Sequence, residues 1–277
     1  MYLISSTKLR KARKDLQDTE PYFYALENMI RRMLRHLPED YHHPYLDLRE
    51  DIPDNNTRRA ILCITSDKGL AGAYNHNVLK LAENSIRPDY NDVLLVIGEM
   101  GRQYFESRKI RIDENFRYTI QNPTLGRARV IAGRILEQYV NGEIDEVFVL
   151  YTRMKNSMEM SAEIQQILPL DRLQGGSLYK KINIPGVYQE EFEMLPSADE
   201  VVEEVIPNFM AGFIYGAMVE SFCAEQNSRM TAMDNANKNG QKLLSELQIQ
   251  YNRVRQAQIT QEITEVAAGE RAQRQKR

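Results

Sequence analysis

The chain has 277 residues, enough for one ordinary core with an extended element or for two modest domains. A formal net charge of −3 gives no bulk reason to bind nucleic acid, and two cysteines without CxxC or metal-ligand spacing suit a reduced, intracellular protein with buried thiols. The longest apolar run, Phe209 to Val219, is about half of a membrane span, and no signal peptide is visible because polar residues follow Met1-Tyr-Leu-Ile at once, so a soluble chain is expected.

The first segment carries a helical seam. Leu9, Ala12, Leu16, Thr19, Phe23, Leu26, Ile30, Met33 and Leu37 alternate steps of three and four, the period of a helix packed along another helix. Pro21 lies off the seam and predicts a kink or short break, and Pro38 with the His42-His43-Pro44 loop ends the helix. Those adjacent histidines have no third ligand in reach and read as loop residues rather than a metal site. The basic cluster Lys8, Arg10, Lys11, Arg13 and Lys14 reads as a solvated helix face.

The middle segment alternates strands and helices. Strands are expected at Ala60–Thr65, Val93–Ile97 and Glu146–Tyr151, and helices at Tyr74–Ile86, Met100–Ser107 and Pro123–Val140. Short apolar runs between amphipathic helices predict a mostly parallel sheet covered on both faces. Ser157–Leu170 and Val187–Leu195 are expected as extended edge material. Thr65-Ser-Asp-Lys-Gly-Leu-Ala-Gly72 stands between a strand and a helix, where phosphate loops occur, but it matches neither GxxxxGK[ST] nor GxGxxG. Its glycines also serve a tight turn without any ligand, with Asp67 and Lys68 pairing locally or touching a partner.

The third segment opens with a short helix, Ala198–Val205, and Pro207 suits the first turn of a much longer one. From Asn208 to Ala268 that helix would run about 90 Å. Met230, Met233, Ala236, Gly240, Leu243, Leu247, Tyr251 and Val254 keep the three-four alternation of the first segment. Two such seams at opposite ends of the chain predict an antiparallel coiled coil of the terminal helices with an α/β domain at one end. The expected divisions are 1–56, 57–196 and 197–277. Gly212 and Gly216 let another element approach the helix closely. Gln248, Gln250, Asn252, Gln256, Gln258, Thr260 and Gln261 make the last third amide-rich and low in charge, which suits contacts with protein that break and re-form. No Ser/His/Asp or Cys/His arrangement supports catalysis.

Three stretches carry a family resemblance: Ser228-Arg-Met-Thr-Ala-Met-Asp-Asn-Ala-Asn-Lys-Asn-Gly, Leu247-Gln-Ile-Gln-Tyr-Asn-Arg-Val-Arg-Gln-Ala-Gln-Ile-Thr-Gln-Glu-Ile-Thr-Glu and Ile4-Ser-Ser-Thr-Lys-Leu-Arg-Lys-Ala. With the Thr65–Asn75 loop, they resemble the gamma subunit of F-type ATP synthase along essentially the whole chain. The resemblance implies a non-catalytic rotor shaft inside a ring of alpha and beta subunits, with a Rossmann-like domain meeting the epsilon subunit and the membrane c-ring. Proton flow would turn it, at the cytoplasmic face of the cell membrane, with no cofactor, metal or nucleic acid of its own. It also implies that Arg255 and Gln256 touch loops of the beta subunits, with Arg229 and Gln261 as neighbouring contact positions. Met1 falls about six turns inside the family's N-terminal helix, pointing first to a misassigned start or partial gene and second to a natural shortening. The tail after Gly269 is more basic than the resemblance leads one to expect, and there is no cysteine-bearing insert of the chloroplast type. Two other readings remain, a Rossmann-like nucleotide-dependent enzyme with a coiled-coil arm and a coiled-coil adaptor binding nucleic acid through its basic N-terminal face.

Overall fold

The computed structural model describes residues 2–38, 40–49, 52–53, 56–87, 91–154, 159–170 and 193–275. In chain order the elements are α1 (Tyr2–His36), β1 (Arg59–Ile64), α2 (Tyr74–Ser85), β2 (Val93–Ile97), α3 (Glu99–Ser107), α4 (Leu125–Val140), β3 (Glu146–Met154), β4 (Met160–Leu168) and α5 (Ala198–Gln275). The chain divides into two units, Met1–Met230 and Thr231–Arg277.

The first unit is built on a sheet of order β2-β1-β3-β4. β1 pairs in parallel with β2 and with β3, and β4 closes the far edge antiparallel to β3. Side chains alternate across the sheet, as period two requires. Ala60, Leu62 and Ile64 of β1 face one core, which Ile131 and Ile135 of α4 and the early part of α5 also enter. Ile61 and Cys63 face the other, where Val78 and Ala82 of α2 and Phe105 of α3 cover them. Both cysteines are free and buried. The expected three parallel strands are therefore present, and the described part of the expected Ser157–Leu170 edge holds β4. Glu193–Leu195 is irregular, and the rest of the expected Val187–Leu195 edge lies outside the described residues.

Local chemistry explains the joints. Thr124 caps α4, its Oγ1 accepting from the Arg127 backbone N at 3.3 Å. At the end of β1, Thr65 Oγ1 donates to the Ile97 carbonyl at 2.9 Å and accepts from the Gly101 N–H at 3.0 Å, drawing α3 against the strand. A Cβ on Gly101 would stand 2.6 Å from that oxygen, so only glycine permits the approach. The connection after α1 is fastened by Asp145, at 1% exposure, which accepts from Arg49 at 2.5 Å and from the Arg58 Nε at 2.9 Å. Burial opposes the charge on Asp145, but hydrogen bonds from Arg58 and Arg49 outweigh it and hold the carboxyl below its usual range. His43 lies in this connection between the rings of Tyr41 and Tyr45.

α1 runs antiparallel to the first third of α5. Near one end of α1, Lys8 lies close enough to act electrostatically on Glu225. Further along, Ala12 shares a cavity wall with Val219 and Phe222, and Leu26 shares one with Val205. Beyond the helix, Tyr41 Oη donates to Asp199 at 2.6 Å. Leu9, Ala12, Leu26, Ile30, Met33 and Leu37 are buried, as their spacing predicts, while the side chains of Leu16, Thr19 and Phe23 lie outside the described residues. Two expectations need correction. The α5 residues that share walls with α1 are Val205, Val219 and Phe222; of the expected seam from Met230 to Val254, Met230 packs against the core while Ala236, Gly240, Leu243, Leu247, Tyr251 and Val254 are exposed. There is also no separate helix at Ala198–Val205, since α5 passes through Pro207 unbroken. A proline inside a helix costs about 3 kcal/mol, and burial of Ile206, Phe209 and Met210 around it offsets that loss. Helix α1 likewise continues through Pro21.

Candidate protein interaction surface

From Asn235 to Gly269 every residue of α5 is exposed. That stretch nevertheless keeps large apolar side chains: Leu243 is 56% exposed, Leu247 50%, Tyr251 63%, Val254 66%, Ile263 64% and Val266 73%. Single exposed apolar residues are ordinary, but a sustained run of them marks a surface made for contact with protein. Several of the polar residues between them hydrogen-bond along the helix. Gln261 Nε2 donates to Glu265 at 2.9 Å, Thr260 Oγ1 to the Gln256 carbonyl at 2.8 Å, and Thr264 Oγ1 to the Thr260 carbonyl at 2.8 Å. The helix thus offers apolar area beside amides and hydroxyls that bond along it, and amides can exchange partners at about 0.5–1.5 kcal/mol each.

Arg255, Gln256 and Gln261 all lie on this exposed stretch. Arg229 does not. It belongs to the first unit, 7% exposed, with its guanidinium engaged inside the chain. Its Nη1 pairs with Glu225 at 2.6 Å, and its Nη2 donates to the carbonyls of Lys68 and Gly69 at 2.8 and 3.1 Å. Burial pushes the Glu225 carboxyl above its ordinary range, against the pull of Arg229. Glu225 and Ser228 are residues the sequence reading did not single out. The signal was available, because Ser221, Glu225 and Ser228 recur at steps of four and three within an apolar stretch, marking one polar face on a buried helix.

That polar face fills the place where open α/β sheets bind ligands, beyond the C-terminal ends of the strands on either side of a change in strand order. Here that point lies between β1 and β3. Ser221 Oγ accepts from the Thr152 N–H at 3.1 Å, and Ser228 Oγ donates to the Ala71 carbonyl at 2.7 Å. Asp67 is engaged by the Thr119 hydroxyl and by the Gln121 N–H, so it pairs locally. The cavity left beside Tyr74, Thr152, Met160 and Ser228 holds about 80 Å³, against roughly 300 Å³ or more for ordinary ligand pockets. Ser221 and Ser228 of α5 thus bond to the backbone at the edge of this crevice.

The sequence model of the ATP synthase family matches residues 1–272. The ATP synthase gamma chain of Ruminiclostridium cellulolyticum is 40% identical, over 97% of this chain and 90% of its own length. The sodium-ion-specific ATP synthase gamma chain of Acetobacterium woodii is 34% identical, over 98% and 91%. In fold, the chain is similar to one from the central stalk and c-ring of the Tetrahymena thermophila mitochondrial ATP synthase, with a TM-score of 0.62 at 21% identity, covering 86% of this chain and 97% of that one. A chain of the Euglena gracilis mitochondrial ATP synthase gives a TM-score of 0.57 at 19% identity, covering 96% and 95%. A match that spans nearly the whole chain, at up to 40% identity, places it in the ATP synthase gamma chain family.

Proposed function

We propose that the chain is the rotor of an ATP synthase central stalk, turned by ion flow through a membrane c-ring and acting on catalytic sites carried by other subunits. The observation that carries this reading is the exposed run of apolar and amide side chains on α5 from Leu243 to Val266, in a chain whose family is that of the gamma subunits. Such a run needs a protein sleeve, and a ring of alpha and beta subunits supplies one. Arg255 and Gln256 are the contacts proposed to meet the beta subunits, with Gln261 nearby. The α/β region, at 57–196 between terminal segments 1–56 and 197–277, is proposed to meet the epsilon subunit and the c-ring at the cytoplasmic face of the membrane. We take the proton as the coupling ion; the sodium specificity in the name of the Acetobacterium woodii relative makes sodium the alternative to test.

Two measurements test the reading. Affinity purification of the native chain should recover alpha and beta subunits in fixed ratio, and recovery of a partner-free monomer with its own catalytic activity would refute it. In the assembled enzyme, Arg255→Ala with Gln256→Ala should lower ATP turnover several-fold. Exposed substitutions cost the isolated chain less than about 0.5 kcal/mol each, so its unfolding should stay unchanged. Unaltered turnover would remove these residues from the contact set. Pumping driven by a sodium gradient but not a proton gradient would replace the coupling ion.

A further inference from the structure

The loop between β1 and α2 is held carbonyl by carbonyl. Lys68 O accepts from Arg229 Nη2 and from Ser66 Oγ, both at 2.8 Å. Gly69 O accepts from Arg229 Nη2 at 3.1 Å and Nε at 3.3 Å, and Ala71 O accepts from Ser228 Oγ at 2.7 Å. Between these fastened residues sits Leu70, with φ at 63° and its side chain 67% exposed. A leucine avoids that left-handed conformation, and an exposed side chain gains little burial to offset it. Its neighbours hold it there, not its own preference.

The clamp is suited to this task. A planar guanidinium reaches two successive carbonyls and a carboxylate at once, which an ammonium cannot. Glu225, 4% exposed, braces the opposite side of the fork at 2.6 Å. Asp67 anchors the start of the loop to residues 119 and 121. All of these groups belong to the unit that ends at Met230, one residue after the clamp.

We propose that Arg229 is a positioning residue, which sets the pose of the β1–α2 loop and keeps Leu70 exposed in its left-handed conformation while the rotor works. It acts through the loop rather than by meeting a neighbouring subunit itself. The functional half of this inference rests on the rotor reading; the structural half does not. Arg229→Met, Arg229→Lys and the milder Ser228→Ala are compared with the wild-type chain by two readouts. The first is the rate at which trypsin creates a new N-terminus at Gly69 in the full chain. The second is ions pumped per ATP hydrolysed by the assembled enzyme in vesicles.

Losing charge-assisted hydrogen bonds to the loop should speed cleavage after Lys68 by about tenfold or more in Arg229→Met. Ser228→Ala should fall between that variant and wild type, and Arg229→Lys should stay nearer to Arg229→Met. Pumping per ATP should decline in the same order with subunit content unchanged. Should Arg229→Met fail to accumulate, Ser228→Ala and Arg229→Lys carry the same comparison. Pumping that falls while cleavage stays at the wild-type rate would overturn the inference, since Arg229 would then act by direct contact. Faster cleavage with normal pumping would overturn it too, since the loop pose would have no consequence. A wild-type chain that joins no ATP synthase subunits would instead sink the rotor reading, leaving the trypsin comparison to decide the clamp.

Discussion

Ile30→Ala and Val254→Ala probe the two kinds of apolar surface in this protein. Ile30 of α1 is 3% exposed in the seam with α5, whereas Val254, far along α5, is 66% exposed. Replacing isoleucine by alanine removes three carbons, about 2.4 kcal/mol at about 0.8 kcal/mol per buried methylene. A residual cavity adds to this, so the expected loss is about 2–5 kcal/mol. Val254→Ala should cost the isolated chain less than about 0.5 kcal/mol. Urea unfolding, followed by the near-ultraviolet dichroism of buried tyrosines such as Tyr139 and Tyr151, reads the first unit directly. The midpoint should fall for Ile30→Ala and stay for Val254→Ala, with the slope unchanged in both. In the assembled enzyme Val254→Ala should weaken subunit association instead. Equal midpoints for the two variants would refute the packing argument, because the seam would then hold α1 no better than solvent does.

The ion-pair anchor and the glycine contact give two more expectations. Asp145→Asn removes the carboxylate shared by Arg49 and Arg58 and should destabilise the chain by about 3 kcal/mol, read by denaturant midpoint. Since the folded carboxyl titrates below its unfolded value of about 3.9, its contribution is complete above that pH and disappears as acid takes the pH down through the folded value. Wild type should therefore lose stability in that acid window more steeply than Asp145→Asn. Gly101→Ala forces a Cβ to within 2.6 Å of Thr65 Oγ1 and 2.9 Å of Val96 Cγ1, and should cost about 1–3 kcal/mol by the same assay. A neutral result would mean that α3 can withdraw from β1 freely.

Periodicity carried much of the architecture. Strands β1, β2 and β3 announce themselves as short apolar runs buried on both faces, and α4 by an apolar stripe behind a threonine cap. The seam of α1 was legible for the same reason, since a step of three and four puts its residues on one face whatever the partner is. Motif failure in the Thr65–Gly72 loop was legible too, because phosphate binding needs glycines at positions this loop lacks.

Register and closure were settled only by the folded chain. Nothing local to α1 says which part of a 78-residue helix it will meet, and the same three-four spacing runs through both the buried and the exposed stretches of α5. Packing against the sheet chose the early stretch, where Phe209, Phe213 and Phe222 add core area that the later amide-rich stretch does not offer. Pro207 misled for a related reason: its local cost is outweighed by the burial around it, a tertiary term no window of sequence contains. Arg229 shows the limit most sharply. Its motif marks it as a position of consequence, but whether a long cation turns outward to a partner or inward to its own loop depends on carbonyls about 160 residues away in the chain, and electrostatics of that range exist only after folding has brought them together.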